Sequence, residues 1–177
     1  MAARDLPDDA ARLARHARAV LKQAAGAELM LATAESCTGG LLASLLTDIE
    51  GLSSTFERGF VTYSEAAKCE QLGVEPILIA QHGVVSAEVA RAMAQGALAH
   101  SRADIAIAIT GFAGAARKGD EVGLVHIAAL RRGGRCHLRE ARFGDVGRDR
   151  IRMLTVSAAL EMIGDVAAEA KGQAASR

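Results

Sequence analysis

Two hydrophobic rhythms alternate along the chain, one repeating every three to four residues and one every two, and their order predicts a layered α/β domain. Between Asp8 and Ala25, apolar Leu13, Ala17, Val20, Leu21 and Ala24 fall at helical spacing, while Arg12, Arg15, Arg18 and Lys22 occupy other faces. That predicts an amphipathic first helix closed by Gly26. Glu28 to Thr33 reads as a strand and Gly39 to Ile49 as a helix, with a glycine turn between them. Phe56 to Tyr63 reads as a second strand, and Ser64 as the N-cap of a helix that ends at Leu72 before Gly73. Pro76 to Gln81 is a short helical or turn segment, after which Ser86 caps an alanine-rich helix from about Ala87 to Arg102.

Ile105-Ala-Ile-Ala-Ile-Thr110 sets branched residues against small ones and predicts a central buried strand. Gly111-Phe-Ala-Gly114 ends it, and 115–121 is a polar loop. Val122 to Arg131 and Cys136 to Phe143 form a hairpin across Gly133-Gly134, and a long helix runs from Arg148 to about Ala168. The order α β α β α α β β β α predicts a single three-layer α/β/α domain with a mixed, mostly parallel sheet and a C-terminal antiparallel hairpin. Its core spans 8–168, and 169–177 is expected to be a disordered tail.

Composition narrows the function classes. Half of the 177 residues are apolar, enough for a sizeable core in one domain. The 21 basic and 21 acidic residues cancel, so neither nucleic acid nor a membrane surface is an expected partner. Four Phe, one Tyr and no Trp leave little to stack on bases. No apolar run approaches the roughly 18 residues that a membrane span requires, and Met1 to Asp5 lack the apolar stretch of a secretory signal. Cys37, Cys69 and Cys136 form no CxxC pair, which suits a reduced, cytoplasmic protein. The five histidines show no metal-ligand spacing, and no metal or cofactor is expected.

Candidate chemistry concentrates in Thr33-Ala34-Glu35-Ser36-Cys37-Thr38-Gly39-Gly40, where a strand hands over to a helix. A hydroxyl or thiol followed by two glycines at such a junction stands beside free backbone N–H groups. That arrangement suits attack on a carbonyl with capture of the oxyanion, or the cradling of a phosphate. A plain capped helix N-terminus has the same composition. No GxSxG elbow, Walker loop or GxGxxG fingerprint is present, so no standard nucleotide loop is implied. Cys37 is the alternative nucleophile, but its bulky flanks favour burial as a small apolar group.

Tyr63 ends the second strand and Lys68 follows on the next helix. Such a lysine is either a solvated surface charge or, held neutral near the serine, the base that takes its proton. Neutrality requires burial or a neighbouring cation, and Arg58 is the candidate for the latter. The tyrosine hydroxyl would relay or orient the proton. Thr110-Gly111-Phe112-Ala113-Gly114 follows the most buried strand, where ligands collect in open α/β sheets and small residues permit close approach. Polar or glycine-rich motifs at three strand ends predict one shared crevice.

Together these strings resemble the C-terminal domain family of the competence/damage-inducible protein CinA, whose stand-alone members are nicotinamide-nucleotide amidases. The likeness runs from about Leu29 to Ile163. It is carried by Ala34-Glu35-Ser36-Cys37-Thr38-Gly39-Gly40, Phe56-Glu57-Arg58-Gly59-Phe60-Val61-Thr62-Tyr63-Ser64 with Ala67-Lys68, Leu72-Gly73-Val74, His82-Gly83-Val84-Val85-Ser86 and Thr110-Gly111-Phe112-Ala113-Gly114. The resemblance implies hydrolysis of the carboxamide of nicotinamide mononucleotide to nicotinic acid mononucleotide and ammonia. It also implies a cytoplasmic, metal-independent α/β/α domain that is commonly a homodimer. Ser36 matches the family's nucleophile, Lys68 its base and proton shuttle, and Tyr63 its assistant. Thr110 matches a substrate-pocket position, and Arg148 aligns with an arginine suited to the nucleotide phosphate. Thr38, Gly39 and Gly40, through their N–H groups, and Gly111, Ala113 and Gly114 beside Thr110 complete the expected substrate-binding set.

The sequence also departs from the family. Many members carry Gly-Pro-x-Gly-Gly after the third strand, followed by Lys-Pro-Val-Gly-Thr-Val. Here the stretch is Gly114-Ala115-Ala116-Arg117-Lys118-Gly119-Asp120-Glu121-Val122-Gly123-Leu124-Val125, and Asp145-Val146-Gly147-Arg148 replaces a Gly-Asp-Arg. Two readings therefore stand beside the amidase: a nucleotide-binding module without turnover, and an amidase for another small phosphorylated carboxamide.

Overall fold

Ile105, Ile107 and Ile109 fall on one side of the central strand and Ala106 and Ala108 on the other, and this split organises the whole domain. The computed structural model describes residues 6–114 and 119–175. Its elements are α1 (Leu6–Ala25), β1 (Leu31–Glu35), α2 (Leu41–Thr47), β2 (Phe56–Val61), α3 (Glu65–Leu72), α4 (Pro76–His82), α5 (Ala87–Ala99), β3 (Ile105–Gly111), β4 (Leu124–Arg131), β5 (Cys136–Arg142) and α6 (Arg148–Ala175). The strands lie in the order β2-β1-β3-β4-β5. β1 is parallel to both β2 and β3, whereas β4 runs antiparallel to β3 and to β5. Helices α1, α2 and α6 cover the isoleucine side, and α3, α4 and α5 cover the alanine side. This is the expected three-layer α/β/α domain with its mixed sheet and terminal hairpin. Among the described residues no helix is long and apolar enough to cross a membrane.

The two faces pack differently because their side chains differ. Branched residues on one face interlock with Leu21, Leu42, Leu46, Leu160 and Ile163. On the other, Ala32, Ala34, Ala106, Ala108 and Ala128 present almost no relief, so the alanine-rich α5 lies close against the sheet. Neighbouring α3 is drawn in as well. A Cβ built on Gly96 would sit 2.0 Å from the Leu72 carbonyl oxygen, a backbone atom that cannot swing away. Gly96→Ala is therefore expected to destabilise the fold by about 1–3 kcal/mol, although alanine is the better helix former. Urea denaturation checks this, and an unchanged or raised midpoint would contradict it.

Several boundaries differ from expectation for identifiable reasons. Serines 64 and 86 cap as predicted, accepting from the Ala67 and Val89 N–H groups. β1, expected to end at Thr33, continues to Glu35 because it is paired on both sides that far, with Val61 and with Ile109. α2 begins at Leu41 rather than Gly39, since Gly39 and Gly40 adopt φ of 61° and 89°. The expected tail is helical as far as Ala175, where Val166, Ala167 and Ala170 prolong the buried stripe of α6. Residues 1–5, 115–118 and 176–177, which include parts of the expected polar loop and tail, lie outside the described residues.

Candidate active site

From β1 the chain passes to β2 on one side and must cross back to reach β3 on the other. In an open α/β sheet such a reversal leaves a crevice outside the carboxyl end of the strand. Ser36 is the first residue beyond β1 and so stands at the reversal. A cleft of about 400 Å³ opens there, and the expected Ser36, Tyr63, Lys68, Thr110, Gly111, Ala113, Gly114 and Arg148 all line it. Thr38, Gly39 and Gly40 do not: Thr38 is wholly buried, and the glycines shape the turn into α2.

Lys68 reaches the cleft from the first turns of α3, which Ser64 starts immediately after β2 and its Thr62-Tyr63 exit. Its side chain is fully buried, with Nζ 3.0 Å from Ser36 Oγ and donating to the Thr62 carbonyl at 2.8 Å. Burial pushes the Lys68 amine below its ordinary value of 10.5, against a weaker opposing pull from Cys37, Glu65 and Cys69. Arg58, the sequence's candidate for a neighbouring cation, does not contribute. It points outward, paired with Glu57 at 2.6 Å and donating to the His100 carbonyl at 2.7 Å. Desolvation alone is the cause.

Cys37 also lines the cleft, but burial, reinforced by the Glu35 charge, raises its thiol to about 11. A thiol with that value is protonated at neutral pH and is a poor nucleophile beside a lysine-paired hydroxyl.

The mouth is formed by Tyr63 and Arg148. Arg148, at the start of α6, donates from Nη2 to the Tyr63 hydroxyl at 3.2 Å, and the ring is 63% exposed. The sequence predicts a Tyr63 hydroxyl that relays or orients the serine proton. That hydroxyl instead engages the guanidinium, since α6 brings Arg148 to the exit of β2. Thr110 donates to the Val84 carbonyl at 2.8 Å, which draws the segment between α4 and α5 over the end of β3. Val84, Val85, Phe112 and Asp120 thereby complete the wall. Their side chains carry no distinctive signal in one sequence, although Val84, Val85 and Phe112 fall inside strings that resemble the family.

The sequence motif assigns Glu35 no role. The structure gives it one, because its fully buried carboxylate accepts from the Leu42 N–H at 3.0 Å and the Ala43 N–H at 2.8 Å. The start of α2 is thus occupied by the protein's own anion, which takes the Leu42 and Ala43 N–H groups, while the expected Gly39 N–H donates to the Ser36 carbonyl at 3.0 Å. Ala113 and Gly114, which line the cleft, have N–H groups without a hydrogen bond among the described residues. No cluster of three or more His, Cys, Asp or Glu side chains among the described residues is arranged to hold a metal ion.

Known proteins resemble this chain in sequence and in fold. The sequence profile of the CinA C-terminal domain matches residues 13–167. A nicotinamide-nucleotide amidohydrolase PncC of Escherichia coli (strain K12) is 48% identical over 134 residues, covering 74% of this chain and 80% of that protein. A CinA-like protein of Geobacter sulfurreducens is 47% identical over 137 residues, covering 76% of this chain but 33% of its relative. This chain thus spans about a third of the length of such longer relatives. The crystal structure of competence/damage inducible protein CihA from Agrobacterium tumefaciens superposes with a TM-score of 0.81 at 45% identity, over 85% of this chain and 93% of that one. The matched profile spans nearly every element from α1 to α6, and on that ground the chain belongs to the CinA C-terminal domain family.

Proposed function

We propose that this chain hydrolyses the carboxamide of nicotinamide mononucleotide, releasing ammonia, with Ser36 as nucleophile and Lys68 as base. One observation carries the reading: a buried amine, held below its ordinary pKa, lies 3.0 Å from a serine hydroxyl in a cleft at the sheet's reversal point. The E. coli relative named for this activity supports the choice of substrate.

The chemistry follows from the geometry. In its neutral form Lys68 accepts the Ser36 hydroxyl proton as Oγ attacks the carboxamide carbon. The negative charge that forms on the amide oxygen is met by backbone N–H groups such as those of Ala113 and Gly114. Lys68, now protonated, returns the proton to the departing nitrogen, and the C–N bond breaks to leave an acyl ester on Ser36. Water then repeats the sequence, with Lys68 taking its proton and handing it back to Ser36. The Thr62 carbonyl steadies the amine throughout.

At the mouth, Arg148 supplies the one guanidinium lining the cleft among the described residues, and Tyr63 orients it. Arg148 is therefore the anchor for the substrate phosphate. Arg148→Ala is expected to raise KM roughly 10- to 100-fold while kcat changes far less, since the lost contact exists in both ground and transition states. Steady-state kinetics check the split; a kcat loss at unchanged KM would place Arg148 in the chemical step instead. The parent reading is tested by ammonia release from nicotinamide mononucleotide by the purified protein. Thermal stabilisation by the nucleotide with no ammonia formed would make the chain a binding module.

A further inference from the structure

Two groups on different elements must hold a 3.0 Å separation for Ser36 and Lys68 to work together. The structure shows one residue linked to both. Through its side chain, Glu35 ties the strand end immediately before Ser36 to the first turn of α2, closing the intervening loop into a ring. Through its backbone carbonyl, it accepts from the Thr62 N–H at 2.8 Å, and the Thr62 carbonyl in turn accepts from Lys68 Nζ. On the other side, the Ser36 N–H donates to the Ile109 carbonyl of β3.

The side-chain link is unusual in what it replaces. Gly40, at the N-cap position of α2, offers no side chain, and its φ of 89° suits glycine. A seven-residue helix with an uncapped start is marginal by itself. The carboxylate supplies both missing acceptors from β1 and also opposes the positive end of the helix dipole. A serine or asparagine at position 40 would cap the helix without joining it to the strand. Only a long acidic side chain at position 35 does both.

We propose that Glu35 is a positioning residue: it sets the distance and direction between Ser36 Oγ and Lys68 Nζ by locking the turn between β1 and α2. The proposal rests on the hydrolytic reading of the cleft. Glutamine at position 35 keeps the size but sets an NH2 group against one of the two N–H donors, so the turn must open. Displacement of the nucleophile by about 1 Å costs on the order of 10²-fold in rate.

The test compares Glu35→Gln with Leu46→Val, which trims the buried face of α2 without touching the turn. Glu35→Gln is expected to lower kcat roughly 10²-fold and to leave KM within about threefold. The midpoint of its kcat/KM pH profile should move little, since the burial that lowers the Lys68 amine does not depend on Glu35. Leu46→Val is expected to lose comparable thermal stability and to retain kcat. Equal kcat losses in the two variants, or wild-type kcat in Glu35→Gln, would overturn the proposal. A crystal structure of Glu35→Gln reads the same point without turnover. A lengthened Ser36 Oγ to Lys68 Nζ separation is expected, and an unchanged one refutes it even if the wild-type protein releases no ammonia. If Glu35→Gln does not fold, Glu35→Asp, which shortens the link by one methylene, takes its place in both measurements.

Discussion

Ammonia release from nicotinamide mononucleotide is expected to fall by roughly 10⁴- to 10⁶-fold in Ser36→Ala, the range seen when an activated serine is removed from its partner base. The substitution deletes the atom to which the proposed mechanism gives the acyl ester, so no acid–base adjustment restores it. Its structural effect is small. Lys68 Nζ keeps the Thr62 carbonyl, and the loss of one hydrogen bond of about 1 kcal/mol lowers the melting temperature by about 2–4 °C in a chain of this size. Nucleotide binding is expected to persist, because the proposed phosphate anchor Arg148 and the cleft walls are intact. Cys37→Ala should retain turnover, given a thiol raised to about 11. If Ser36→Ala turns over like the wild type while Cys37→Ala is dead, the nucleophile is the neighbouring thiol.

Lys68→Met is expected to lower kcat/KM roughly 10²- to 10⁴-fold, the usual worth of a general base, and to lack the pH dependence expected of the wild type. In the proposed mechanism the base form works, so the wild-type rate is expected to rise with pH and level off once the Lys68 amine is mostly neutral. Burial lowers that amine's pKa, so the plateau begins below the ordinary lysine value of 10.5. The stability consequence has a definite sign. Between the depressed folded-state pKa and the ordinary unfolded one, the unfolded chain binds more protons at position 68. Stability therefore rises with pH across that window and is flat on either side for this group. In Lys68→Met the rise attributable to this amine vanishes. Urea melts across the alkaline range check this; an equal rise in both proteins would mean that Lys68 is not the titrating group.

The parts of the fold that were legible in sequence are those whose rhythm is local. The Ile105-Ala-Ile-Ala-Ile alternation marked the central strand, and the observed β3 is buried on both faces. Ser64 and Ser86 announced two helix starts because capping needs only a side chain and an N–H three residues on. The boundaries that moved depend on distant partners. Nothing within residues 28–40 says that β1 is paired on both sides as far as Glu35, and a buried glutamate reads as a break until α2 folds back to supply two donors.

The candidate site divides along the same line. Ser36, Lys68, Thr110 and Arg148 were picked out by residue type, motif and family likeness, and the fold gathers them into one cleft. Their partners were not legible. The neutral tendency of Lys68 comes from burial rather than from Arg58, and the hydroxyl of Tyr63 goes to Arg148 rather than to the serine.

By itself, then, the amino-acid order determined which segments become strands and helices, and which hydroxyl and amine were available for chemistry. Periodicity and capping act over a few residues and are written in the neighbours. Tertiary structure alone decided that the amine of Lys68 is dry and 3.0 Å from Ser36, that Glu35 occupies the start of α2, and that Arg148 guards the mouth. Burial, charge and distance across the sheet are properties of chain segments far apart in sequence, and they exist only once the layers have packed.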